Sequence, residues 1–372
     1  MLFCGALLWL TGCASVPGDN AEALPPNWGE TNTVVRPPAS PSVSPVVMIS
    51  PAVKNNVPPL SVQFNAVPMQ VSVPAVRLAP VPAWTSLNRW AAENQCAAPR
   101  RLVGGPTVSY AVRSPHGELV VDIGSREATW RGVEFHLGFP PEFIDGQVFV
   151  HGLDLQKNLA PLLLGEPPVL GANRVIVIDP GHGGVNGGTV STLDGRPEKE
   201  FTLDWARRIQ VLLSAEGWTV WLTRTNDVDV ALSNRVAFAE AHHAGLFVSL
   251  HFNSAAPDKR QSGLETYCLT PAGMPSTLTR GNPDFLNQSF PNNEFDVQNL
   301  LLAVRLHAAL LRLSGEEDRG IRRARFMGVL HGDRCPAILI EGGFLSNPRE
   351  AGKIESAGFR QKLAEAFAAA LK

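Results

Sequence analysis

The sequence has few cysteines, no excess of either charge and no long apolar run, and each absence excludes a class of protein. Its 372 residues include five cysteines without paired C-x-x-C spacing, which excludes a disulfide scaffold and a cysteine-based structural zinc site. Basic side chains number 32 and acidic ones 34, so the net charge is only -2. Such a chain has no basic field to attract nucleic acid, and we expect no nucleic-acid partner. No apolar run reaches the ~20 residues that span a bilayer.

The first 13 residues have the character of an export signal. They are almost wholly apolar or small and end in Leu10-Thr11-Gly12-Cys13, a run too short to be a membrane span. These four residues resemble the bacterial lipobox, which implies that Cys13 is lipidated and becomes the mature N-terminus. Ala14 follows the cysteine, which in that pattern favours the outer membrane. The alternative is an ordinary secretory signal with an incidental cysteine, and both interpretations predict an exported, periplasmic protein.

Residues 14–84 have the composition of a linker. Thirteen of the 31 prolines lie between Pro25 and Pro82, where they remove backbone donors and bias the preceding residues to extended states. We therefore predict a disordered spacer between the membrane and the folded part of the chain.

Residues 85–166 are predicted to form a small β-rich module. Short β-like runs are separated by Gly117, Gly124 and Gly132, as in an antiparallel unit. The span resembles the copper amine oxidase N-terminal-like modules of bacterial envelope proteins, although its histidines form no copper ligand pattern. We expect this module to bind glycan or a protein partner.

From residue 173 to 372 the pattern changes to alternating strands and helices. Arg174–Ile178 is a short β-branched run suited to a buried parallel strand, and Lys199–Ala215 has apolar residues at helical spacing. Alternation over this length predicts an α/β fold with a mainly parallel twisted sheet flanked by helices. Functional residues are then expected beyond the carboxyl ends of the strands.

Three of the predicted strands end in residues that can bind a metal ion or act in catalysis. His182 follows the first strand in a Gly-rich loop, His251 ends another, and Glu341 ends a third before Gly342. Strand ends of a parallel sheet meet at one edge, and the loop after His182 leads to a fourth candidate, Glu198. Two imidazoles, a carboxylate and an open position form the ligand set of a catalytic zinc ion. The second carboxylate would be the general base that takes a proton from the activated water.

Each of these residues also has a simpler interpretation. A histidine in a Gly-rich loop is often a turn residue, and Glu198 would favour the helix dipole at a helix N-terminus. The Gly-rich loop could instead hold phosphate, but it lacks the Lys-Ser/Thr ending of a P-loop. The combination of residues favours the metal site.

The span 173–372 resembles the zinc-dependent N-acetylmuramoyl-L-alanine amidases of the type 3 cell-wall hydrolase family. The stretches that carry the resemblance, in order, are VIVIDPGHGG, PEKEFTLDWA, LTRTNDVDVALSNRVAFA, LFVSLHFNS, GLETYCL, DRGIRRARFMGVL and PAILIEGGFLSNP. The resemblance implies that His182, Glu198 and His251 bind one zinc ion and that Glu341 is the catalytic base. It also implies hydrolysis of the amide between N-acetylmuramic acid and L-alanine in peptidoglycan.

Neighbouring polar residues are candidates for supporting roles. Glu200 is an alternative to Glu198 as the metal ligand. The family pattern favours Glu198, because the ligand there precedes the lysine. Arg224 and Arg235 are expected to brace loops near Asp227, with substrate contact as the alternative.

Two further candidates are Asn253, which would either orient His251 or touch substrate, and His331, which would lie on the solvated surface or meet substrate. A disulfide between Cys268 and Cys335 and two buried thiols are equally compatible with the sequence.

Some members of the family block their own zinc with an inserted helix after the fifth strand. The corresponding segment here, Thr270–Asn293, contains four prolines and no amphipathic pattern. We predict a loop at the rim of the site.

The sequence therefore predicts an exported, lipid-anchored, monomeric amidase that degrades or remodels the cell wall. Two alternatives are a metallopeptidase that cuts the stem peptide with the same zinc set and a non-catalytic wall-binding lipoprotein. The expected sign of the second, loss of a ligand or of the base, is absent from the sequence.

Overall fold

The computed structural model describes residues 83–103, 105, 107–165 and 173–372. The lipobox with Cys13 and nearly all of the linker predicted over 14–84 lie outside these residues. Within the described ranges, every helix is too short or too polar to cross a membrane.

The region before residue 166 consists of short strands followed by a helical segment. Its strands are β1 Trp84–Ser86, β2 Arg100–Arg101, β3 Ser109–Ser114, β4 Gly117–Asp122, β5 Glu127–Trp130, β6 Val133–His136, β7 Glu142–Ile144 and β8 Gln147–His151. Helix α1 spans Leu87–Glu93, and after β8 come α2 Gly152–Asp154, a π-helical turn Leu155–Leu159 and α3 Ala160–Leu163. The β-rich character predicted for this span is confirmed.

The region after residue 173 alternates strands and helices. The strands are β9 Val175–Pro180, β10 Thr219–Leu222, β11 Leu246–Asn253, β12 Leu264–Cys268, β13 Asp318–Arg323 and β14 Ala337–Phe344. The helices are α4 Glu198–Ala215, α5 Leu232–Ala241, α6 Asp296–Ser314, α7 Pro348–Glu355 and α8 Ala357–Ala370, with 3-10 turns at Pro291–Phe295 and Gly328–Leu330. The segment predicted to be a rim loop has no α-helix between β12 and the first of these turns.

Most strands of the described chain belong to one sheet with the order β10-β9-β11-β14-β12-β13-β6-β5-β4-β3-β2. From β10 to β6 the neighbours are parallel, except that β12 runs antiparallel to β14. From β6 to β2 the pairs are antiparallel. The described sheet is thus mixed: its α/β part is mainly parallel and flanked by helices, as predicted, and the β-rich region continues the same sheet with antiparallel strands.

Alternation along the central strands places a hydrophobic core on each face of the sheet. Ile176 and Ile178 of β9 face the larger core, which is covered by α4, α6 and α8, while Val177 faces the smaller core beside α5. Both faces of the parallel strands are therefore buried, as the β-branched run in β9 predicts.

The β-rich region is joined to the α/β region through the sheet itself. Ile321 of β13 pairs in parallel with Phe135 of β6, and both side chains are buried in the larger core. That core continues from Leu119 and Trp130 in the β-rich region to Leu302 on α6. The two sequence regions therefore share one sheet and one core.

The two buried cysteines of the α/β region are free thiols. Cys268 lies in the larger core and Cys335 in the smaller one, on opposite faces of the sheet. No disulfide joins this pair in the structure.

Asp333 is an unusual buried carboxylate in the segment before β14. It is 1% exposed, and neither carboxyl oxygen has a hydrogen-bond partner within the part of the chain that the structure describes. Burial, with a contribution from the charge of Asp179, raises the pKa of Asp333 to about 8. The native state therefore binds this proton at a pH where the unfolded chain has lost it.

The shared core predicts that damage at the junction destabilises the α/β region. Phe135→Ala removes a ring that is 1% exposed, and large-to-small changes of this kind cost about 3–5 kcal/mol. Hydrogen exchange in β14 and α8 should accelerate together with exchange in β6. Phe143→Ala, at a side chain that is 51% exposed, is the control. Unchanged exchange in β14 with accelerated exchange in β6 would show that the two regions unfold independently.

The raised pKa of Asp333 predicts that the folded protein loses stability as the pH rises. Its pKa is higher in the folded than in the unfolded chain, so its contribution declines from about pH 4 and levels off near pH 8. Asp333→Asn removes this dependence. The free energy of unfolding of the variant relative to that of the parent should therefore increase by up to about 1.4 kcal/mol per pH unit between pH 5 and 7. Urea unfolding at pH 5, 6 and 7 measures the difference, and parallel curves for the two proteins would contradict the assignment.

Candidate active site

Four candidate residues meet at the carboxyl ends of three adjacent parallel strands. His182 lies two residues after the end of β9, and His251 and Glu341 are register partners on β11 and β14. Glu198 begins α4, which returns the chain to the same edge. Chain direction and register thus bring together residues that are far apart in sequence.

Glu198 lies between the two histidines. Its Oε2 is 3.0 Å from Nε2 of His182, and its Oε1 is 2.9 Å from Nδ1 of His251. The two imidazole rings are nearly perpendicular, with centroids 4.8 Å apart. One donor atom from each of the three residues lies within 4.8 Å of the other two, a spacing that suits a metal ion.

Backbone groups fix the orientation of the Glu198 carboxylate. The N–H of Phe252 donates to Oε1 at 2.9 Å, and the N–H of Thr189 donates to Oε2 at 3.1 Å. Glu200, the alternative in this helix turn, is exposed. The structure therefore places Glu198, and not Glu200, against the histidines.

Ionisation in the cluster is set by burial and by mutual contact. Burial opposes the charge on Glu198, but contact with His182 and His251 holds its pKa well below the usual range. Burial also opposes the charge on His182, but the contact with Glu198 outweighs it and raises the pKa of His182. In contrast, burial lowers the pKa of His251. The cluster thus favours an ionised carboxylate beside imidazoles in unequal environments.

The loop after β9 is shaped closely around this cluster. His182 has φ +62°, a left-handed conformation that is rare for a residue with a side chain. Gly188 has φ +71°, and a Cβ there would lie 2.5 Å from Oε2 of Glu198 and 2.6 Å from the His182 ring. Only glycine allows the loop to approach the carboxylate so closely.

Arg224 and Arg235 hold this loop in place. Arg235 pairs with Asp179 at 2.5 Å and donates to the carbonyl of His182 at 2.9 Å. Arg224 donates to the carbonyls of Pro180 and Gly181, and burial lowers its pKa to about 10. Both arginines therefore brace the backbone at His182.

Glu341 stands beside the cluster in a different environment. Its side chain is buried, and its Oε2 has no hydrogen-bond partner among the described residues. Burial and the negative charge of Glu198 raise the pKa of Glu341 well above its usual value, although the charge of Arg280 opposes the shift. The pKa of Glu341 is thus shifted in the opposite direction from that of Glu198.

Asn253 and His331 occupy different positions around the site. Nδ2 of Asn253 donates to Glu265 at 2.8 Å, and its Oδ1 accepts from Arg280 at 3.3 Å. The ring of His331 stacks on Phe290 with centroids 3.9 Å apart, and its Nε2 is 2.5 Å from the carbonyl oxygen of Arg325. Asn253 therefore lies in the site, whereas His331 anchors the chain around Phe290.

Sequence reasoning missed a buried network on the far side of Glu341. Glu265 on β12 pairs in register with Glu341 and accepts hydrogen bonds from Tyr267 at 2.6 Å and Arg319 at 2.8 Å. One sequence feature could have indicated Glu265: it is the only charged residue in the predicted strand LETYC. Arg280, on the rim loop, had no such signal.

A second group with metal-compatible spacing lies away from this site, on the β5–β6 hairpin. It consists of Glu127, Glu134 and His136. Burial raises the pKa of Glu134 to about 7 and lowers that of His136 to about 4, and the charge of nearby Arg322 also disfavours protonation of the histidine. Glu127 is exposed, so this group lacks the burial of the His182 cluster.

Comparison with known proteins identifies the α/β region. The family described as N-acetylmuramoyl-L-alanine amidase (Amidase_3) matches residues 176–372, more than half of the chain. The amidase AmiC of Escherichia coli is 33% identical over 243 residues, which cover 59% of this chain and 58% of AmiC. The amidase LytC of Bacillus subtilis is 33% identical over 200 residues, which cover 54% of this chain and 35% of LytC. The chain thus spans less than two thirds of either relative.

Among solved structures, the catalytic domain of the amidase CwlV from Bacillus (Paenibacillus) polymyxa var. colistinus matches 53% of this chain. The match covers 95% of that domain, with 29% identity and a TM-score of 0.44. All four clustered residues lie within the span matched by the family. The family match over residues 176–372 shows that the chain belongs to the type 3 N-acetylmuramoyl-L-alanine amidase family.

Proposed function

We propose that the protein is a zinc hydrolase that cleaves the amide between N-acetylmuramic acid and L-alanine in peptidoglycan. The observation that carries the proposal is the contact of Glu198 with both His182 and His251 beside the buried Glu341, inside the span that the family matches. Membership of an amidase family supports the reaction class, and peptidoglycan is the substrate that the family description implies.

The donor set fits zinc. His182 and His251 supply imidazole nitrogens and Glu198 supplies a carboxylate, which are the ligands of catalytic zinc sites with one open position. The backbone hydrogen bonds to Glu198 preorganise its carboxylate, as expected for a ligand held by its surroundings. Zinc bound there would supply Lewis-acid chemistry, which polarises a carbonyl group and lowers the pKa of a water molecule.

Glu341 is the general base of the proposed reaction. Water attacks the lactyl carbonyl carbon, and Glu341 accepts the proton that the water loses. It then gives this proton to the nitrogen of the departing L-alanine as the carbon–nitrogen bond breaks. The products are the free carboxyl group of the muramic acid and the free amine of the peptide. The burial of Glu341, which raises its pKa, suits a group that takes up and returns a proton.

The remaining proposals concern location and partners. We propose that the chain is exported to the periplasm, is anchored to the outer membrane through lipid on Cys13, and acts as a monomer. Residues 85–166 would contribute an affinity for glycan or for a protein partner. These proposals rest on the sequence patterns described above.

Glu341→Gln should abolish hydrolysis while leaving metal binding intact. Loss of the general base costs about 10²–10⁴-fold in rate, and glutamine preserves the shape of the side chain. The assay is release of intact stem peptides from purified peptidoglycan, analysed by mass spectrometry, with zinc content measured on the same samples. Glu240→Gln, on the exposed side of α5, is the control. Turnover by the Glu341 variant within threefold of the parent would remove Glu341 from the mechanism.

The same product analysis tests the reaction class. Intact stem peptides with a free L-alanine amine identify an amidase, whereas shortened peptides would identify a peptidase that uses the same residues.

His182→Ala should lose metal while keeping the fold. Removal of one of three ligands leaves an incomplete donor set, so the zinc content after dialysis should fall from about one ion per chain to well below one. His116→Ala, at an exposed histidine before β4, is the matched control. Elemental analysis and circular dichroism report the two properties separately. Full zinc occupancy in the His182 variant would refute the proposed ligand set.

A further inference from the structure

Arg280 is placed at the rim of the candidate active site by the loop between β12 and α6. Its Nη2 donates to Oδ1 of Asn253 at 3.3 Å and to the hydroxyl of Tyr267 at 3.4 Å. Asn253 lies two residues after His251, and Tyr267 is on β12, the strand beside Glu341. Its guanidinium therefore belongs to the same edge of the sheet as the cluster.

Three arginines near this edge are paired with carboxylates, whereas Arg280 is not. Arg235 pairs with Asp179, Arg319 with Glu265 and Arg325 with Asp284. No carboxylate of the described residues lies within 4.0 Å of the Arg280 guanidinium. Its guanidinium donates instead to two neutral oxygens, those of Asn253 and Tyr267, at long distances, and both hydrogen bonds use Nη2. A half-buried cation thus lacks a close anion.

Aromatic faces complete the surroundings of this guanidinium. The centroid of the Tyr267 ring is 5.9 Å from the guanidinium carbon, and that of the Phe326 ring is 5.6 Å away. These distances are near the outer limit of cation–π attraction, so the rings hold the cation weakly and leave it able to take a stronger partner.

The loop that carries Arg280 is fixed before any ligand arrives. Arg325 donates to the carbonyls of Pro271 and Leu286 at 2.9 and 3.1 Å, at the two ends of the loop. Arg126, from the turn between β4 and β5, donates to the carbonyls of Pro275 and Ser276 at 2.9 and 3.1 Å. Arg280 itself has φ +49°, a conformation that these constraints must maintain.

We propose that Arg280 binds a carboxylate of the peptide stem and thereby selects substrates that carry this group next to L-alanine. The proposal rests on the proposed function, because it takes the stem peptide as the ligand of this edge. A guanidinium forms charge-assisted, often bidentate, hydrogen bonds with carboxylates, and a preorganised one loses little entropy on binding. Its alternative role, an effect on Glu341 alone, is an outcome of the test.

The test compares two muropeptides that differ at one group. One has a free α-carboxylate on the residue after L-alanine, and in the other this carboxylate is amidated. The parent should have a kcat/KM about 10–100-fold higher for the carboxylate form, since hydrogen bonds between charged groups have this effect. Arg280→Gln should lose that preference through a higher KM for the carboxylate form, and Arg280→Lys should be intermediate. Arg89→Gln, an exposed arginine on α1, is the control.

Other results would overturn the proposal. Equal losses of Arg280→Gln on both substrates, or a loss in kcat alone, would mean that Arg280 acts through Glu341 or through the loop. No effect on either substrate would exclude any role in recognition.

Calorimetry with the free stem peptides separates this proposal from the proposed function. If the parent hydrolyses neither muropeptide, the proposed function fails. The parent should still bind the carboxylate peptide about 10-fold or more tightly than the amidated one, a difference that Arg280→Gln removes. Equal affinities of the parent for the two peptides would refute the role of Arg280.

Discussion

The contact of one buried carboxylate with two imidazoles is the constraint on which the arrangement of this site depends. Glu198 is 3% exposed and accepts from the backbone of Phe252 and Thr189 while it touches His182 and His251. An ionised carboxylate in such a place is costly unless every oxygen has a partner. The loop after β9, the start of α4 and the end of β11 must therefore all be correct for the site to form.

Buried charged side chains on the other side of the loop stabilise this arrangement. His182 has a left-handed backbone, and the guanidinium groups of Arg224 and Arg235 bind the carbonyls around it. Arg235 can be buried there because Asp179 pairs with it and also accepts from Thr223 and Ser249. Removal of one charge from such a network leaves the other unpaired, which is more harmful than the loss of a surface ion pair. Two kinds of interaction, ion pairing and carbonyl binding, thus stabilise one strained histidine.

The sequence allowed prediction of the residues whose positions follow from strand direction, and not of those placed by tertiary contacts. His182, His251 and Glu341 follow apolar β-branched runs, so their meeting at one edge is a consequence of parallel strands. Glu198 and Glu200 were separated only by the family pattern, because both lie in the first turn of one helix.

The network around Glu265 was not predicted, since its partners come from different elements, and the strand β13 was missed for a related reason. Its sequence, DRGIRR, has one apolar side chain in six residues, and it becomes a strand through pairing with β12 on one side and of Ile321 with Phe135 on the other. This pairing also gives the β-rich region a role at the active-site edge. Arg126 reaches from that region to the rim loop, and Gly138 packs so closely on Met274 that a Cβ would lie 2.2 Å from it. A region that follows the linker thus helps to fix the loop that carries Arg280, so the conformation of the rim depends on contacts outside the span that defines the family.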